Sequence, residues 1–158
     1  MTEERFNSIK NNLRDFDLAY GNVNGTHDIT IKKEDVLKVG NLLYNECGMD
    51  WMVDAVSVDR YKKQDRYEMV YNLRSTKHRD RLFIRIKLDS KEPQMETLSG
   101  IWESANWYER EAYDMMGITF LNHPDPRRMY MPEDYEYYPL RKDFPLMGIP
   151  GSIPLPNK

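Results

Sequence analysis

Hydrophobic and polar positions follow two different periods along the chain. From Glu3 to Tyr20, Phe6, Ile9, Leu13, Phe16 and Ala19 or Tyr20 recur at helical spacing and predict a first amphipathic helix. The stretch from Gly21 to Gly25 breaks it. Ile29 and Ile31 then alternate with polar neighbours as a short strand. Lys33 to Cys47 predicts a second helix, with Val36, Leu37, Val39, Leu43 and Tyr44 on its buried side and Gly48 placed to end it. Three strands are expected next. Trp51 to Val58 is rich in valine. In Arg66 to Arg74, Tyr67, Met69, Tyr71 and Leu73 share one face; in Arg81 to Asp89, Leu82, Ile84, Ile86 and Leu88 do. Clean alternation means a sheet covered on one side only. The short polar links Tyr61–Asp65 and Ser75–His78 predict antiparallel hairpins. Helical spacing returns over residues 97 to 117, as two pieces meeting near Asn106, with Asn106 and Glu109 as a capping pair and Gly117 as a left-handed stop. The expectation is a two-layer α+β domain with a mixed, mainly antiparallel sheet and helices on one face.

Proline changes the picture downstream. Eight of the nine prolines lie between Pro124 and Pro156. The last 40 or so residues therefore cannot hold long helices or central strands. The same stretch carries Tyr130, Tyr135, Tyr137, Tyr138 and Phe144. An extended segment this rich in rings must pack on its own domain or on a partner. The division expected is an α+β domain over 1–117 and an extended, partner-binding arm over 118–158.

Composition removes several functions. At 158 residues the length suits one domain, and a net charge of −3 gives no bulk field for nucleic acid. The lone Cys47 cannot form a disulfide or a four-thiolate iron–sulfur cluster within the chain. No apolar run approaches the ~20 residues of a membrane span. The first residues lack the apolar stretch of a secretory signal, so a cytoplasm-type protein is expected. The scattered glycines form no phosphate loop, and His123, Asp125, Glu133 and Asp134 match no compact metal-ligand spacing. His27 and His78 are expected in polar turns, exposed to solvent. Asn24-Gly25-Thr26 is expected to be a turn rather than a glycosylation site.

The densest charges are Glu109-Arg110-Glu111, Asp114 and His123-Pro124-Asp125-Pro126-Arg127-Arg128. Arg110 and Asp114 stand four apart on a helix and are expected to pair. Either this is a solvated face, or the charges are desolvated against another chain, where arginine–carboxylate forks fix geometry.

Three blocks in order carry a family resemblance: Ala105-Asn106-Trp107-Tyr108-Glu109-Arg110-Glu111-Ala112-Tyr113-Asp114-Met115-Met116-Gly117-Ile118, then Asn122-His123-Pro124-Asp125-Pro126-Arg127-Arg128, then Pro139-Leu140-Arg141-Lys142-Asp143-Phe144-Pro145-Leu146. Together they resemble the C-type subunit of respiratory complex I, the 30-kDa subunit family of NADH:quinone oxidoreductase. Mitochondrial iron–sulfur protein 3 and the J-type subunit of chloroplasts are its relatives. The resemblance is close over roughly residues 97 to 148 and holds in layout before that. Many members have Gly where Asn122 stands, Gly-His where Tyr137-Tyr138 stand, and a longer tail.

The resemblance implies a peripheral-arm subunit with no catalytic residue of its own. It implies that this chain binds no cofactor or metal, with FMN, iron–sulfur clusters and quinone carried by other subunits. The partners implied are the large quinone-site subunit of D type, the terminal-cluster subunit of B type and the cluster-bearing subunit of I type. The place implied is the cytoplasmic face of the inner or plasma membrane. Partner-binding residues implied on this chain are Glu109, Arg110, Glu111, Asp114, His123, Asp125, Arg127, Arg128, Arg141, Lys142, Asp143 and Phe144. The alternative is the equivalent subunit of a membrane-bound hydrogenase, a formate hydrogenlyase or a coenzyme-F420 dehydrogenase. A free-standing hydrolase built on His123 is the reading from another class.

Overall fold

A computed structural model describes residues 1–61 and 63–151. The elements run α1 (Glu3–Asn12), β1 (Ala19–Val23), β2 (Thr26–Ile31), a 3-10 turn (Lys33–Asp35), α2 (Val36–Asn45), β3 (Trp51–Asp59), β4 (Tyr67–Arg74), β5 (Arg81–Leu88), β6 (Gln94–Glu96), α3 (Ala105–Met116) and β7 (Thr119–Leu121). The main sheet has the order β1-β2-β5-β4-β3. Only β2 and β5 pair in parallel within it, so it is mixed and mainly antiparallel, an α+β fold.

The alternation of β4 and β5 sets the two faces. Tyr67, Met69, Tyr71 and Leu73 are buried with Leu82, Ile84, Ile86 and Leu88. They form one core with Phe6 and Ile9 of α1, Val36, Val39 and Leu43 of α2, and Ala112 and Met115 of α3. Each fully buried aliphatic contributes roughly 1.5–3 kcal/mol relative to exposure. The opposite face carries a charge ladder. Arg85 lies 3.2 Å from Asp28 and 2.9 Å from Glu68, and Arg60 lies 2.7 Å from Glu68.

The first helix stops sooner than its spacing predicts. Thr2 caps it, and it ends at Asn12 with Leu13 as its C-cap. Ala19–Val23 pairs instead as an antiparallel edge strand, with Val23 opposite Thr26 across Asn24-Gly25. Both turn residues have positive φ, +50° and +83°, as the mirror-image hairpin turn requires. The expected break is thus a strand and its turn, and pairing outweighs local helical spacing. His27, expected in solvent, is buried on β2 and stacks on Phe6 with ring centroids 3.9 Å apart.

The second helix is shorter at both ends than Lys33 to Cys47, because a 3-10 turn precedes it and Asn45 ends it. Residues 97 to 104 form turns rather than a helical piece. Leu98 and Trp102 are nevertheless buried, so their spacing marks a core face without a helix. The Asn106–Glu109 capping pair does not form, because Glu109 turns inward to the Leu98 amide.

Edge strand β3 is guarded by the chain before and within α3. Trp102 donates to the Met49 carbonyl at 2.9 Å, Ser104 to Met52 at 3.0 Å and Tyr108 to Val53 at 3.0 Å. Val53 sits at the register shift between Met52 and Asp54, so its carbonyl is available to Tyr108.

Gly117 ends α3 in the left-handed conformation, at φ +71° and ψ +34°. A Cβ there would also strike the Arg141 guanidinium and meet the Tyr138 ring at 2.7 Å. Beyond it, β7 pairs in parallel with β6, and Ile118 and Phe120 enter the core. Three-residue strands are too short for a period to announce them.

Candidate functional site

Helix α3 buries three charged side chains beside its apolar ones: Glu109, Arg110 and Asp114. Buried charge is costly unless paired and hydrogen-bonded. Each of the three finds its partners within the chain, and two of them hold the proline-rich arm.

Asp114 is the first anchor. One oxygen, Oδ2, accepts from three consecutive backbone amides: Met129 at 3.0 Å, Tyr130 at 2.6 Å and Met131 at 3.0 Å. The other, Oδ1, accepts from Arg128 at 2.7 Å. Burial pushes its pKa up, but these donors outweigh it and hold the carboxyl below its ordinary range. The expected Arg110–Asp114 pair does not form. Arg110 instead meets Asp125 at 3.1 Å and donates to the carbonyls of Arg127 and Arg128 at 3.0 and 3.3 Å. Arg127 is exposed and forks onto Asp125 at 2.6 and 2.8 Å. That fork holds the Asp125 carboxyl far below its ordinary range, against a smaller opposing effect of burial.

Asp59, at the end of β3, is the second anchor, and the sequence reading missed it. Arg66 grips its two oxygens at 2.9 and 2.8 Å and reaches Asp143 at 2.9 Å. The Lys142 amide donates to Asp59 at 2.8 Å. The Arg66 bonds are the main reason that the Asp59 carboxyl falls to about 2. Asp143 lies 77 residues from Arg66, a distance no local spacing reveals.

Between the anchors the arm is fastened by rings. The Arg128 guanidinium lies 5.1 Å from the Tyr138 centroid and 5.7 Å from that of Tyr113. Arg141 lies 4.3 Å over Tyr138 and 5.3 Å over Tyr67, and donates to the Met116 carbonyl at 2.7 Å. Such cation–π contacts contribute about 0.5–1 kcal/mol each where exposed. Tyr135 is buried.

Glu109 does different work. It accepts from Tyr71 at 3.0 Å, from the Leu98 amide at 2.8 Å and from the Thr97 hydroxyl. Burial dominates these donors and pushes its pKa up to about 7. His123 Nε2 lies 3.8 Å from it.

The twelve residues singled out from sequence thus fall into three groups. Glu109 and Asp114 are fully buried within their own chain and present no surface to a neighbour. Arg110, His123, Asp125, Arg128, Arg141 and Asp143 are engaged in holding the arm to the domain. Arg127 and Lys142 are exposed, while Glu111 and Phe144 are half-buried. Past the second anchor, Leu146 and Met147 are 105% and 95% exposed. Residues 152–158, the end of the expected arm, lie outside the described residues. Among the described residues no three His, Cys, Asp or Glu side chains gather as metal ligands would.

Fold and anchors together define the class: a small α+β domain carrying a proline-rich arm fastened by buried carboxylates. Residues 29–150 match the family described as "Respiratory-chain NADH dehydrogenase, 30 Kd subunit", and the chain belongs to that family. It is 42% identical over 124 residues to the C-type subunit of NADH-quinone oxidoreductase from Geotalea uraniireducens, covering 78% of this chain and 76% of that protein. It is 39% identical over 158 residues to the C-type subunit numbered 2 of NADH-quinone oxidoreductase from Rhizobium meliloti, covering 97% and 86%. Among solved structures, a trypsin-resistant fragment (1-134) of Nqo5 superposes with a TM-score of 0.68 at 27% identity, over 77% of this chain and 98% of that one. A chain of the membrane-bound sulfane sulfur reductase, an archaeal respiratory membrane complex, superposes at 0.74 over 92% and 88%. At 20% identity that second likeness speaks to fold alone.

Proposed function

We propose that this chain is the non-catalytic, peripheral-arm subunit of an NADH–quinone oxidoreductase, bracing the quinone-reducing module while electrons pass from NADH to quinone. The observation that carries the reading is the arm. It is clamped at Asp114 and at Asp59–Arg66–Asp143, and its tip projects Leu146 and Met147 with no apolar cover of their own. Clamping lowers the entropy lost on docking, and exposed aliphatics supply the contact. The partners that fit are the large quinone-site subunit, the terminal-cluster subunit and the second cluster-bearing subunit. FMN, iron–sulfur clusters and quinone belong to other subunits of the complex, and ion translocation to the assembly. Among the described residues no helix is long and apolar enough to cross a membrane, which suits attachment through partners at the cytoplasmic face.

Relatives named as NADH-quinone oxidoreductase subunits favour this reading over a hydrogenase-type assembly. Purification of the tagged chain from detergent-solubilised membranes tests it. The expected result is co-purifying cluster-bearing and quinone-site subunits with NADH-dependent quinone reduction. A nickel–iron centre without quinone reduction would transfer the chain to the hydrogenase-type assemblies.

A further inference from the structure

The loop at the root of the arm is held by an imidazole. His123 Nδ1 accepts from the Asp125 amide at 3.1 Å, and Nε2 lies 3.3 Å from the Asn106 carbonyl oxygen. An amide N–H only donates and a carbonyl only accepts. Both bonds therefore coexist in a single form of the ring: neutral, with its hydrogen on Nε2. A second proton would sit on Nδ1, pointing at the Asp125 N–H.

The groups facing the ring come from two sides. Helix α3 presents Glu109 at 3.8 Å and Arg110; the loop itself presents Asp125. Behind Glu109 stand Tyr71 of β4 and Thr97. The His123 side chain is 2% exposed. Its burial, with Arg110 adding to it, holds the imidazole below its ordinary pKa against the opposing pull of Asn106 and Asp125. A cavity of about 350 Å³, lined in part by Glu109, Tyr113, Phe120 and His123, adjoins the ring. The ring therefore borders open space. The anchors at Asp114 and Asp59 are carboxylates held below their ordinary range and stay charged through the pH range in which a histidine titrates.

We propose that His123 is a proton-governed latch for the root of the arm. The neutral imidazole pins the Asn122–Arg127 loop to α3. Protonation at Nδ1 breaks the Asp125 bond and releases the turn that the loop makes on the ring, while the two carboxylate anchors stay closed. The consequence for how the arm is presented rests on the assembly role proposed above; the latch itself does not.

Amide exchange of Asp125, read by NMR on the full chain and corrected for the intrinsic effect of pH, tests the latch. Between pH 7.5 and 5.5 protection of Asp125 falls by about tenfold, while the Met129, Tyr130 and Met131 amides on Asp114 keep theirs. His123→Asn offers a non-titrating oxygen near the Nδ1 position and gives a flat profile. Ring nitrogen shifts of the native chain at pH 7.5 show hydrogen on Nε2. A flat native profile, the same pH dependence in His123→Asn, or hydrogen on Nδ1 would overturn the latch. These readouts do not involve the assembled complex, so the latch and the assembly role can fail separately.

Discussion

Asp114→Ala will lower the melting temperature of the free chain by roughly 10 °C and expose the arm to trypsin after Arg127 and Arg128. The substitution leaves the Met129, Tyr130 and Met131 amides and the Arg128 guanidinium without their shared acceptor. Breaking a buried charge pair by removing one member costs about 3–5 kcal/mol. In a domain of this size each kcal/mol moves the midpoint by about 2–4 °C. Calorimetry and timed proteolysis read the two effects separately. Asp114→Asn keeps one acceptor oxygen and falls between. An unchanged melting curve with an intact arm would mean that Asp114 anchors nothing.

Glu109→Gln will make the chain more stable at pH 8 and leave it nearly unchanged at pH 4.5. The folded-state pKa of Glu109 is pushed by burial up to about 7, against an ordinary 4.5. Below 4.5 the group is protonated whether the chain is folded or not, and it imposes no cost. As pH rises through 7 the folded chain must ionise a buried carboxyl that the unfolded chain has already ionised. The penalty approaches about 3 kcal/mol above that pH. Glutamine copies the protonated form and removes the penalty. Urea midpoints of both proteins across pH 4.5 to 8 measure the difference, and parallel profiles would show that Glu109 titrates normally.

The sheet is legible in the sequence because β4 and β5 alternate without interruption, and period-two burial on one face has few other outcomes. Gly117 is legible because a left-handed stop suits glycine. The first helix is overextended by its spacing, because Phe16, Ala19 and Tyr20 continue a helical period that strand pairing overrides across Asn24-Gly25. Arg110 and Asp114 illustrate a different limit. Their spacing permits a local pair, but each finds more bonds on the returning arm, and sequence distance hides that choice. Asp59 and Arg66 are silent for the same reason, since Asp143 reaches them only after the whole domain has folded. The charges of α3 are recognisable as unusual. Spacing cannot show that three of them are satisfied inside the chain, or that Leu146 and Met147 beyond Asp143 are left fully exposed.

On the function proposed above, the clamped arm presents Leu146 and Met147 to a neighbour. Leu146→Asp with Met147→Asp tests it most directly, because both side chains are fully exposed and touch no part of the core. Melting of the free chain should stay within about 0.5 kcal/mol of the native value, while the yield of complex recovered from solubilised membranes collapses. Recovery of the complex at native yield and activity would mean that the arm docks through some other surface.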